Sequence, residues 1–164
     1  MIVNIKDPET GKEYTEDIES LTQSDLDTMS KEYTTEAKVK RYIDNLDVSA
    51  DMKVILLKLS RFSITVGKTA LKIGKKILEI AIMLMSKFKI ATFGLIVGAL
   101  LTVIISSIPL IGAALATFLA PWLLLLGLGR GFLEDLKRDT PDLSSSIIDA
   151  VEIFAPLKKS EMAA

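Results

Sequence analysis

The sequence contains no cysteine and no histidine among its 164 residues. Disulfide bonds, thiol nucleophiles, zinc sites built from cysteine and histidine, and Ser-His-Asp triads are therefore excluded. A metal site would have to consist of carboxylates alone. We accordingly predict that the protein is not an enzyme and that it binds no cofactor and no metal.

Charge is missing from one long segment. Residues 90–129 contain no charged side chain, and they are bracketed by Lys89 and Arg130. Forty such residues are about twice the roughly 20 that a helix needs to cross a bilayer. The sequence therefore predicts a transmembrane helical hairpin at 90–129.

A turn is expected near the middle of this segment. Pro109 removes a backbone donor and disfavours helix at the preceding residue, and Gly112 permits a left-handed conformation. The two spans would then be about 90–107 and 110–128. Basic residues flank only the outer ends, so the positive-inside rule places both termini in the cytoplasm.

The remaining residues are sharply divided by charge, although the formal net charge is only −1. Residues 1–51 contain six basic and thirteen acidic side chains, whereas residues 52–89 contain nine basic and one acidic. Residues 130–164 are mildly acidic. The chain is therefore predicted to be strongly dipolar.

We divide the chain into four predicted segments and assign it to the mainly α membrane proteins. Residues 1–49 form an acidic α+β segment in the cytoplasm, with a short β-hairpin around Gly11 and helices after it. Residues 50–89 form a long basic amphipathic helix capped by Ser49, with a possible break at Gly67 or Gly74. The hairpin follows at 90–129. Residues 130–164 form an amphipathic cytoplasmic helix and a tail.

The basic helix places most of its positive side chains within one arc of its surface. Three interpretations are open: a helix lying on anionic lipid, a vestibule that concentrates anions in an oligomer, or a surface that binds a polyanion. The polyanion would be an oligonucleotide or the acidic N-terminal segment of the same or another subunit. The residues of this basic stripe are Lys53, Lys58, Arg61, Lys68, Lys72, Lys75 and Lys76.

The first predicted span has small or weakly polar residues at every fourth position. These are Gly94, Gly98, Thr102 and Ser106. Such a ridge permits close packing of helices, or it lines a water-filled conduit, and both interpretations stay open.

Two further groups of residues are expected to shape the hairpin. A cytoplasmic-mouth basic ring is predicted from Lys87, Lys89 and Arg130. Hinges or kinks are predicted at Pro109, Gly112, Pro121, Gly129 and Gly131.

These features favour an oligomeric ion channel or pore-forming effector that prefers anions and is gated by a cytoplasmic signal. A two-helix hairpin cannot enclose water alone, so a homo-oligomer is required. The expected partners are the membrane, an anionic ligand such as an oligonucleotide, and a partner protein that supplies the gating signal. Two alternatives are a soluble or monotopic helical protein similar to a colicin pore-forming domain, with a sequestered hydrophobic hairpin, and a non-conducting membrane anchor or adaptor.

The order of acidic segment, basic helix and charge-free hairpin resembles the small membrane effectors of bacterial antiphage systems, including the Hailong type. The resemblance covers the overall architecture, so no individual residue is carried over. It implies a channel in the bacterial inner membrane, with both termini cytoplasmic, that is controlled by a nucleotide-derived ligand and permeabilises the membrane of the infected cell.

Overall fold

The structure is a computed structural model that describes residues 1–7, 10–88, 91–126 and 132–158. The first half contains strands and short helices. They are β1 (Ile2–Lys6), β2 (Glu13–Asp17), α1 (Gln23–Ser30), α2 (Glu36–Asp44), α3 (Ala50–Ser60), β3 (Ile64–Val66) and β4 (Thr69–Leu71). The second half is helical. It contains α4 (Ile73–Lys87), α5 (Phe93–Ser107), α6 (Pro109–Leu126), α7 (Phe132–Asp139), α8 (Pro141–Val151) and a 3-10 helix at Glu152–Leu157.

The four strands form one antiparallel sheet in the order β2-β1-β3-β4. Strand β1 is central because it pairs with β2 on one side and with β3 on the other, where Val3 lies opposite Val66. Alternate residues of β1 are buried, including Val3 and Ile5, so one face of the sheet covers the core. The predicted N-terminal β-hairpin is thus stabilised by a second hairpin of the same chain.

That second hairpin interrupts the long basic helix predicted at 50–89. Ile64, Thr65 and Val66 are β-branched residues that favour a strand. Gly67 follows with φ of +60°, which is the conformation that a two-residue type II′ turn requires at its first central position. The prediction of one long helix is therefore wrong, and Gly67 marks the turn.

Helix ends agree better with the sequence. The hydroxyl of Ser49 accepts a hydrogen bond of 3.1 Å from the backbone N–H of Met52 and caps α3. The hydroxyl of Thr35 likewise accepts from the N–H of Lys38 and caps α2. These caps satisfy backbone donors that no helical carbonyl reaches.

Helix α5 lies at the centre of the core. Nine of its fifteen residues are buried, and it packs against α4, α6 and α8. Helix α6 folds back on it through a close contact, since a Cβ at Gly112 would lie 2.7 Å from the carbonyl oxygen of Ile105. Helix α4 is also deeply buried and approaches α3 where Gly74 faces the carbonyl oxygen of Leu59.

Among the described residues, none of the helices has the length and apolarity that crossing a bilayer requires. This finding contradicts the predicted membrane-protein fold, the transmembrane spans at 90–107 and 110–128, and the inner-membrane location with its two cytoplasmic termini. The physical reason is that the chain supplies its own apolar partners for α5. Helices α4, α6 and α8 cover the apolar surface of α5 that lipid was expected to cover.

Candidate functional site

Helix α4 presents a group of charged side chains to the connection between α1 and α2, at residues 31–34. We call this group the α4 charge cluster. Its members are Lys75, Lys76 and Glu79 of α4 and Lys72 directly before it, with Glu32 and Glu36 on the other side. Three positive and three negative charges meet here, so the cluster is balanced.

Lys75 is the most buried cation of the cluster, with 3% of its side chain exposed. Its Nζ donates a hydrogen bond of 2.6 Å to the carbonyl oxygen of Thr34. The same atom lies 3.3 Å from Glu32 Oε1 and 3.2 Å from Glu79 Oε1. A buried ammonium group is costly unless it is fully paired, and these three contacts meet that requirement.

Lys76 and Glu79 are also buried, and they extend the cluster toward Tyr33. Lys76 Nζ donates to the carbonyl oxygen of Lys31, lies 4.5 Å from the centre of the Tyr33 ring, and is 3.4 Å from Glu79 Oε2. Glu79 Oε2 also accepts a hydrogen bond of 3.4 Å from the backbone N–H of Tyr33. Residues 31–34 are therefore held against α4 by backbone and side-chain contacts together.

Lys72 forms the exposed end of the cluster and contacts Glu36 Oε1 at 2.7 Å and Glu32 Oε1 at 3.4 Å. Hydrogen bonds to Glu36 and Glu32 raise the pKa of Lys72 above its ordinary value. In turn, the hydrogen bond from Lys75 lowers the pKa of Glu32, and that from Lys72 lowers the pKa of Glu36. The ion pairs of Lys72 with Glu32 and Glu36 thus favour the charged form of these three side chains.

The predicted basic stripe is dispersed by this arrangement. Lys75 and Lys76 are buried in the cluster, and Lys72 is paired with acidic residues of the N-terminal segment. Lys53 Nζ donates to the carbonyl oxygen of Asp44, and Lys58 and Lys68 are exposed on α3 and in the β3–β4 turn. The seven cations therefore do not form one continuous surface.

Three cations of the predicted stripe do lie together, at a cavity that a fourth cation, from α2, also lines. Arg61, Lys72 and Lys75 line a cavity of about 380 Å³ together with Lys40 of α2 and the hydroxyl-bearing Ser60 and Ser63. Glu36 also lines it. We call this the basic cavity. The sequence did not place Lys40 with the stripe, because α2 is separate from it along the chain.

The small ridge of α5 is divided between the interior and the surface. Gly94 and Gly98 are buried, Thr102 is half-buried and Ser106 is exposed. The Thr102 hydroxyl donates to the Gly98 carbonyl oxygen at 2.7 Å, and the Ser106 hydroxyl donates to that of Thr102 at 3.0 Å. Both hydroxyls are therefore used within their own helix.

The predicted ring and hinges are only partly described. Lys87 is exposed at the end of α4, whereas Lys89, Arg130, Gly129 and Gly131 lie outside the described residues. Pro109 is the first residue of α6, and Pro121 lies within it on an exposed position. The ring is therefore not tested.

An apolar cavity of about 420 Å³ lies beside the α4 charge cluster, between α4, residues 31–34 and the end of α8. Almost all of its wall is apolar. Its lining residues are Tyr33, Ile80, Met83, Ala150 and Ile153, with Lys76 and Glu79 at its polar end.

Sequence reasoning missed the α4 charge cluster as a structural unit. A signal was present, because Glu79 is the one acidic residue in 52–89 and follows Lys75 by four positions, the spacing of a helical ion pair. Among the described residues no group of three or more carboxylates is placed to hold a metal ion.

Comparison of the chain with protein-family models, with curated proteins and with solved structures gives no match.

Proposed function

We propose that this chain is a membrane-active helical protein that stores an apolar hairpin among its own helices and releases it to a lipid surface on a signal. The observation that carries the proposal is a charge-free hairpin, α5 and α6, whose first helix is covered by the charged helices α4 and α8. The arrangement is similar to that of a colicin pore-forming domain, in which a charge-free hairpin is enclosed by amphipathic helices.

The outer face of α6 supports a role beyond that of a core helix. Ala113, Ala116, Ala120 and Pro121 are exposed on it, yet residues 91–126 contain no charged side chain. A helix at the surface of a protein in water normally carries polar and charged residues on its outer face. This face therefore fits contact with an apolar surrounding such as lipid.

The length of α5 favours a shallow mode of insertion. Fifteen residues rise about 22 Å as a helix, against the roughly 30 Å of a bilayer's hydrocarbon core. Helix α5 is therefore too short to cross the hydrocarbon core from one side to the other. The proposal is thus a monotopic lipid contact.

The α4 charge cluster is suited to control the release. It holds residues 31–34 and the start of α2 against α4, and its outer ion pairs depend on the exposed carboxylates of Glu32 and Glu36. Loss of those two charges leaves Lys72 and Lys75 without their surface partners. Loosening of α4 then exposes α5, which packs directly against it.

Flotation with vesicles of phosphatidylcholine and phosphatidylglycerol tests the proposal with a charge-matched pair of variants. Glu32→Lys with Glu36→Lys places positive charge against Lys72 and Lys75. Glu19→Lys with Asp27→Lys makes the same change in net charge at exposed positions outside the cluster. We expect the first variant to float several-fold more than the natural sequence, and the second to float no more than it. Equal flotation of both variants would contradict the proposal, because the added positive charge alone would then explain binding to anionic lipid.

A second candidate function is the binding of a phosphate-bearing ligand, and the basic cavity favours it. Its cations and two serine hydroxyls are the groups that bind phosphate oxygens. An entering anion would compete with Glu36 for Lys72. Fluorescence anisotropy of a labelled short oligonucleotide should show weaker binding by Arg61→Ala and no change for Lys87→Ala. Equal loss in both variants would contradict a site in the cavity.

A further inference from the structure

We propose that the apolar cavity between α4, residues 31–34 and α8 binds a neutral amphiphile, meaning a hydrocarbon body with one O–H or N–H donor at its end. The site is separate from the hairpin and does not rest on the lipid role proposed above. The volume and the apolar lining of the cavity indicate that the body of the ligand is a hydrocarbon. The carboxylate of Glu79 indicates that the head is a hydrogen-bond donor.

The cavity has the dimensions and surface of a small-molecule site. At about 420 Å³ it falls in the range of roughly 300–1,000 Å³ that such sites occupy, and it joins an apolar wall to a few polar groups. Ile80 and Met83 of α4 form one side, and Ala150 and Ile153 form the other. The flexible thioether side chain of Met83 suits ligands of varied shape.

Two large side chains at the rim are more exposed than their chemistry favours. Tyr33 is 70% exposed and Met83 is 47% exposed. Both also line a neighbouring cavity of about 360 Å³, on the α2 side, that reaches Ile82 and Tyr42. A ligand body placed between these side chains would remove apolar surface from water, which is the driving force for binding.

Glu79 defines the polar end of the site. Its side chain is 6% exposed. Oε1 lies 3.2 Å from Lys75 Nζ, and Oε2 lies 3.4 Å from Lys76 Nζ and from the backbone nitrogen of Tyr33. A carboxylate has about four acceptor positions, so these three donors leave about one position for a donor from the cavity.

The balance of charge at this end of the cavity disfavours an ionic head. Lys76 and Glu79 both line it and already pair with each other. An anionic head would lie against Glu79 and a cationic head against Lys76, so either would meet a charge of its own sign. A neutral alcohol, amide or arylamine avoids both costs and supplies the donor.

Fluorescence titration of the full chain with N-phenyl-1-naphthylamine, an uncharged aromatic probe with one N–H, tests the site. Ala150→Phe fills the cavity from α8, and Ala37→Phe makes the same change at an exposed position of α2. We expect binding at least about tenfold weaker in Ala150→Phe, a change equivalent to about 1.4 kcal/mol. Binding by Ala37→Phe should stay within about twofold of the natural sequence.

Displacement of the probe by three ligands with the same chain tests the head. We expect 1-decanol to displace it at about tenfold lower concentration than decyl methyl ether, which lacks a donor, or decanoate, which is an anion. Circular dichroism checks that Ala150→Phe is folded; if it is not, Met83→Trp at the exposed rim takes its place. Probe binding that is absent, or unchanged in the folded filled variant, overturns the site. Equal displacement by all three ligands overturns the role of Glu79.

Discussion

The indole Nε1 of Trp122 donates a hydrogen bond of 2.8 Å to the carbonyl oxygen of Gly94. The bond joins the C-terminal half of α6 to the first turn of α5, and both residues are buried. It ties the two helices together at the end of the hairpin opposite to its turn at Ile108. The two helices of the hairpin are therefore held in one defined arrangement by a specific hydrogen bond.

Trp122→Phe removes the donor and part of the ring volume from this contact. We expect the free energy of unfolding to fall by about 1–3 kcal/mol. Urea titration followed by far-ultraviolet circular dichroism measures it, because the variant has no tryptophan left for fluorescence. A loss below about 0.5 kcal/mol would show that the bond does not stabilise the hairpin.

Gly74→Ala tests the close approach of α3 and α4. The added Cβ would lie 1.6 Å from the carbonyl oxygen of Leu59, a backbone atom that cannot move aside alone. We expect a destabilisation of at least about 3 kcal/mol, at the upper end of what overpacking costs. Gly67→Ala is the control, since its Cβ meets open space and only the positive φ is strained, with an expected cost of about 1–2 kcal/mol. Equal losses in the two variants would contradict the packing.

Glu79→Leu tests the buried part of the α4 charge cluster. It leaves the ammonium groups of Lys75 and Lys76 without their shared carboxylate in a buried place. Breaking a buried pair costs about 3–5 kcal/mol. Arg138→Ala, which breaks the exposed pair with Asp135, should cost less than about 1 kcal/mol. Chemical denaturation measures the free energy of unfolding of both variants. Similar losses would mean that water reaches the ion pairs of Glu79, and they would contradict the burial of the cluster.

Acid should weaken the outer part of the same cluster. Hydrogen bonds from Lys75 and Lys72 hold the pKa of Glu32 and Glu36 below the ordinary value of 4.5. A depressed pKa gives stability that is fully present above the unfolded value and is lost as pH falls through the folded one. We expect Tm to fall below about pH 4.5, and to fall less steeply when both residues are changed to Gln. Parallel curves for the two proteins would contradict this assignment.

Local features of the fold followed from the sequence where short-range chemistry decides them. The cap at Ser49, the N-terminal β-hairpin and the turn of the apolar hairpin near Pro109 all depend on a few neighbouring residues. The β3–β4 hairpin was missed because its strands are only three residues long, and they were absorbed into the helical pattern on both sides. Gly67 was predicted as a possible break in the helix, but the sequence did not indicate that it forms the turn of a β-hairpin.

The environment of the apolar hairpin did not follow from the sequence. A charge-free segment has the same pattern whether lipid or protein surrounds it, and the choice depends on how α4 and α8 return to cover α5. The α4 charge cluster was equally hidden, because a cationic stripe on a helical projection gives no sign that Lys75 and Lys76 are buried against residues 31–34. Both depend on contacts between segments far apart in the chain.

Trp122 allows the central claim to be measured directly, since it is the one tryptophan of the chain and lies buried in the hairpin. Its fluorescence should be insensitive to vesicles of brominated phosphatidylcholine and phosphatidylglycerol at pH 7. It should be strongly quenched by them when Glu32→Lys and Glu36→Lys loosen the α4 charge cluster, and not in the Glu19→Lys, Asp27→Lys control. If brominated lipid leaves Trp122 unquenched in the loosened variant, the hairpin does not enter lipid and the proposed function is contradicted.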